Sequence, residues 1–90
     1  VTDYEDHIVI YRGEHSRSCR HMLPIVRTIA NGIGIPLREV VMDTAAADHA
    51  GLPVLPTTRR IRDGAIIGEV IGAMPPTQVV AALAHPMPRS

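Results

Sequence analysis

No phenylalanine and no tryptophan occur among the 90 residues, and tyrosine occurs only twice. A core built without large aromatics must be filled by Ile, Val, Leu, Met and Ala, which bury less area per residue. Modest stability is therefore expected of a chain already near the smallest size that buries an adequate core. That length admits one domain, residues 1–90, and not two. A single cysteine, Cys19, excludes an internal disulfide. Lysine is absent as well: the nine basic residues are all arginine and are balanced by nine Asp and Glu, so no net field draws the chain to nucleic acid or to an anionic membrane. No apolar run approaches the roughly twenty residues of a membrane span. The acidic opening "VTDYEDHIVIYRG" does not have the basic start of a secretory leader. These absences point to a cytoplasmic protein with neither a nucleic-acid nor a membrane partner.

What is present reads as alternating strands and helices. "HIVIY", His7 to Tyr11, is a short β-branched run that predicts a buried strand. From Ser18 onward Cys19, Met22, Leu23, Val26, Ile29 and Ala30 fall on one face of a helix, with a stop expected at Asn31-Gly32 and a kink at Pro24. "LREVVMD", Leu37 to Asp43, predicts a second buried strand, parallel to the first through a right-handed crossover. "TAAADHAG" predicts a short helix ending at Gly51. Asp63-Gly64 between two strand-like runs is a strong signal for a tight antiparallel hairpin, with Arg60 diagonal to Glu69 and able to pair with it. "PPTQVVAALAHP" closes as a helix entered at Pro76 and stopped by Pro86.

The order βαβ, short helix, ββα goes with two local motifs. In "HSRSCRHMLP" a four-residue Ser-x-x-Cys unit, Ser16 to Cys19, is preceded by His15, followed by Arg20, and has a helix proline, Pro24, five residues after the cysteine. "LPT", Leu55-Pro56-Thr57, precedes the hairpin, and Ile71-Gly72-Ala73 follows it. Together these resemble the thioredoxin family over residues 7 to 85, in the manner of a short thioredoxin or glutaredoxin-like protein whose Cys-x-x-Cys has become Ser-x-x-Cys. The resemblance implies an α/β thioredoxin fold with a mixed four-stranded sheet, a cis bond at Pro56, and thiol–disulfide chemistry without a cofactor. It also implies a groove for an extended substrate formed by His15, Arg17, Ser18, Leu55, Pro56, Thr57 and Gly72. Its partners would be protein thiols or disulfides, an extended peptide, or a thiol reductase. The family's attacking cysteine falls on Ser16 and its resolving cysteine on Cys19. Its buried aspartate falls on Ile10, and the lysine partner of that aspartate on Glu39.

A serine hydroxyl forms no disulfide, so a dithiol cycle within this chain is closed as written. Cys19 stays in the first turn of a helix beside Arg17, Arg20 and His21, where positive charge favours the reactive thiolate, whereas burial beneath the apolar stripe makes a thiol inert. Ser16 has three readings: a helix N-cap, a hydroxyl for a ligand's thiolate, or a replacement for a native cysteine. His15, Cys19 and His21 point in different directions and predict no metal site. Arg59, Arg60 and Arg62 are expected to lay their stems over an uncovered sheet face with their heads in water, a reading set against an anion-binding patch. The leading function is a thiol–disulfide redox protein with a degenerate or engineered site. The alternative is a redox-inactive binding module that uses the same groove.

Overall fold

The computed structural model describes residues 6–14, 17–52 and 54–85. The β-branched run forms strand β1, His7–Arg12, and its alternation divides the two faces: Ile8 and Ile10 are fully buried beneath the helices, and Val9 and Tyr11 project from the opposite side. Helix α1, Arg17–Ile33, buries Cys19, Met22, Val26, Ile29 and Ala30 along one stripe and continues through Pro24, which stays on its exposed side. It ends two residues later than Asn31-Gly32 suggests. Gly34, with φ of 72°, takes the left-handed position, its N–H donating to the Asn31 carbonyl and that of Ile35 to the Ala30 carbonyl. This pair of hydrogen bonds is the Schellman stop, and Gly32 remains helical inside it.

Strand β2, Leu37–Val41, pairs in parallel with β1 and is an edge strand with no fully buried residue, not the buried strand expected from its apolar content. It stops before Asp43 because that carboxylate leaves the strand to cap helix α2, Thr44–His49, where Oδ1 accepts the Ala46 N–H at 2.7 Å. Strands β3, Thr57–Arg62, and β4, Ala65–Ile71, form the expected hairpin. Both Asp63 and Gly64 have positive φ, 53° and 79°, which is the turn whose twist matches two antiparallel strands. The sheet order is β2-β1-β3-β4. Helix α3, Pro76–Leu83, lies beside α1 on the same face, and Val79 and Leu83 close the core over Ile8, Ile10, Met22, Val26 and Val70. Pro86 lies outside the described residues. No helix among the described residues is long and apolar enough to cross a membrane.

The arginines of β3 part company. A bulge at Arg60/Ile61 shifts the hairpin register, so Glu69 stands opposite Arg59, not diagonal to Arg60. Arg59 bonds Glu69 at 2.7 Å and stacks over the Tyr11 ring on the outer face, as a stem lying across open sheet should. Arg60 does the opposite. It is on the helix side beside Ile8, only 7% exposed, with Nε and Nη2 on the two oxygens of Asp6 and Nη1 donating to the Leu83 carbonyl at 2.7 Å. The expectation of a wet headgroup fails there because Asp6 and the carboxyl end of α3 supply acceptors inside.

One polar atom in the core is unmatched: among the described residues the Thr58 hydroxyl, fully buried opposite Ile10 and Val70, has no hydrogen-bond partner. A buried hydroxyl without a partner costs on the order of 1–3 kcal/mol, and valine has the same shape without the oxygen. Thr58→Val should therefore raise the unfolding free energy by about 1 kcal/mol, read as a later denaturation midpoint in urea with an unchanged slope.

Candidate functional site

The site lies where β1 gives way to α1, at the end of the sheet that also carries α2 and the loop before β3. Cys19 is the third residue of α1, within the turn whose amides have no helical acceptor, and that turn contains no acidic residue. Its thiol is not in a disulfide and is 1% exposed, and Sγ accepts the N–H of Gly13 at 3.3 Å. Arg17, Ser18, Arg20 and His21 are exposed around it. His15 and Ser16 lie outside the described residues, and with them the capping reading of Ser16.

The second wall is the loop leading to β3. The Leu55-Pro56 peptide is cis. Pro56 is buried, and its carbonyl accepts the N–H of Gly72 at 2.8 Å, which fixes the end of β4 against the loop. Thr57 is fully buried and its hydroxyl donates to the Val54 carbonyl, so it shapes the loop from within. Leu55 is half-buried and remains within reach of a partner. Sequence reasoning placed Cys19, Leu55, Pro56, Thr57 and Gly72 in one site. The structure ties Gly13 to Cys19 and Pro56 to Gly72, and sets Gly13 and Leu55 on the lining of one cavity of about 760 Å³.

That cavity was not visible in the sequence. Its remaining walls come from the end of β2 and from α2, whose Thr44, Ala47 and Asp48 fall at helical spacing on one face. Val41 and Val54, 52% and 45% exposed, stand at its mouth. Position 10 is also informative. Ile10 pairs in register with Glu39, and Glu39 receives Arg12 at 3.2 Å and Arg27 at 3.3 Å. An apolar side chain and an arginine-bound carboxylate thus stand where the resemblance places an aspartate and a lysine. Among the described residues no three His, Cys, Asp or Glu side chains converge as metal ligands.

A mixed sheet in the order β2-β1-β3-β4, with α1 and α3 on one face and the cis-proline loop beside the start of α1, is the thioredoxin fold. No known family's sequence profile matches the chain, and no curated protein matches its sequence. Solved structures do match. The chain superimposes on thioredoxin from Fasciola hepatica with a TM-score of 0.73 at 21% identity, covering 93% of this chain and 83% of that one. Thioredoxin from Trypanosoma brucei brucei gives 0.73 at 20%, over 90% and 74%. Thioredoxin 1 from the thermophilic eubacterium Thermosipho africanus gives 0.72 at 16%, over 87% and 90%. At such identities the likeness carries the fold.

Proposed function

We propose that this chain is a thioredoxin-like thiol–disulfide protein in which serine holds the attacking position, and that it receives an extended thiol- or disulfide-bearing partner between the start of α1 and the loop before Pro56. The observation that carries the reading is Cys19: a thiol outside any disulfide in the first turn of α1, its sulfur accepting a backbone N–H, on the side of the cavity opposite a cis-proline loop that leaves Leu55 accessible. The thioredoxins it resembles in fold support the same choice.

As written, the chemistry stops halfway. A Cys19 thiolate attacking a partner disulfide forms a mixed disulfide and expels one partner thiolate, and no second thiol in the chain can release the product. With a cysteine at position 16 the cycle closes. That thiolate attacks, the partner leaves one sulfur as thiolate, and Cys19 then displaces the other, leaving a 16–19 disulfide that an external reductant reopens. The second reading, a module that binds the partner without a covalent step, is favoured by Ser16 itself. The two separate on one measurement. Ser16→Cys, oxidised with diamide, should lose two hydrogens in its mass and both titratable thiols. Two surviving thiols would leave the non-covalent module as the function.

A further inference from the structure

Among the described residues, the charged side chains lining the cavity beside Cys19 are Glu14, Asp43 and Asp48, all acidic, set among the apolar Val41, Leu52 and Val54. Asp43 gives only Oδ1 to the Ala46 N–H, and among the described residues no cation pairs with Asp43 or Asp48. The basic side chains near the thiol, Arg17 and Arg20, belong to α1, outside this lining. An acidic side chain entering here would meet like charges, and a purely apolar one would gain nothing from Asp43 and Asp48. The chemistry that satisfies both walls is a long aliphatic stem with a positive end, lying against Val41 and Val54 with its head at the carboxylates. At about 760 Å³ the space is within the range of small-ligand sites and exceeds the needs of one such side chain.

Resting on the partner reading above, we propose that the extended segment this site accepts carries a lysine or arginine between apolar residues close to its reacting cysteine, and that the cationic side chain enters the cavity between the turn after β1, the end of β2, α2 and the loop before Pro56. Gly13 couples the two events, because it both lines the cavity and donates to the Cys19 sulfur.

The test uses three peptides, Val-X-Val-Ser-Val-X-Val with X as Lys, Gln or Glu, each titrated at low salt into the ¹⁵N-labelled full chain. The Lys peptide should shift the amides of Gly13, Met42, Asp48 and Leu55 and bind about tenfold more tightly than the Glu peptide, with Gln between. Asp48→Lys should abolish or invert that order, and Asp48→Asn should shrink it if the lysine disturbs α2. Equal binding of the Lys and Glu peptides would overturn the charge preference. Shifts at Leu55 and Gly72 with none at Met42 and Asp48 would overturn the cavity while the groove stands. No shifts at either place, with any peptide, would overturn the groove reading and this inference with it.

Discussion

Ser16→Cys should reduce the disulfides of insulin in the presence of dithiothreitol at a rate well above the parent chain, on the order of a hundredfold, while the parent stays at the dithiothreitol background. The argument is one of stoichiometry before geometry. The parent's only thiol is 1% exposed, so it attacks slowly, and the sequence holds no second thiol to release it from a mixed disulfide. Replacing oxygen by sulfur at position 16 supplies the attacking group and turns Cys19 into the resolving one. The surroundings that favour a thiolate are already present, since α1 starts at Arg17, has no acid in its first turn, and carries Arg17 and Arg20 there. Turbidity of precipitating insulin B chain measures the rate. A Ser16→Cys protein no faster than its parent would remove the redox reading, and a parent that turns over would show Cys19 opening to solvent far more often than its burial implies.

Arg60→Ala should be the most damaging substitution outside the site, costing about 2–3 kcal/mol and lowering the melting midpoint by roughly 10–20 °C. Three donors of one guanidinium join the residue before β1, the third strand and the end of α3, through both oxygens of Asp6 and the Leu83 carbonyl. Alanine leaves that carbonyl and a partly buried carboxylate without their donor. The cost falls at or below the ~3–5 kcal/mol of a fully buried pair because the Asp6 side chain retains 24% exposure. Arg62→Ala is the control. Its side chain is 51% exposed and also reaches Asp6, at 3.0 Å, so its loss should cost under about 1 kcal/mol. The hydrogen bonds from Arg60, helped by Arg62, hold the Asp6 carboxyl below its ordinary value against the opposing push of burial. A carboxyl lower in the folded than in the unfolded state stabilises fully above its unfolded value, near about pH 4, and loses that contribution as pH falls through the lowered one. The melting midpoints of the parent and Asp6→Asn should therefore converge as the solution is acidified below about pH 4. A constant gap down to about pH 2 would show that Asp6 acts through packing alone.

Local patterns carried the individual elements, and the fold they build was legible only through the likeness to thioredoxins. The β-branched run at Ile8 to Ile10, the stripe from Cys19 to Ala30, and Asp63-Gly64 each encode a local structure whose physics is complete within a few residues, and each forms where its pattern lies. Boundaries were less legible. Asn-Gly and Gly34 compete to end α1 only two residues apart, and the choice falls to whichever glycine satisfies the last carbonyls. The chemistry at position 16 was also a matter of sequence, since no arrangement of the chain gives a hydroxyl the reactivity of a thiol.

Tertiary structure decided what depends on residues far apart in the chain. Arg59 and Arg60 are adjacent and chemically identical, yet one stacks on Tyr11 on the outer face and the other is buried against Asp6, because a bulge sets the register and the pleat sends neighbours to opposite faces. Glu14 is far from Asp43 and Asp48 in the chain, and the parallel pairing of β1 with β2 brings the three around one cavity. Local patterns fix backbone conformation because their energies are local. Charge and access at a site are sums over the whole fold, and no window of sequence contains that sum.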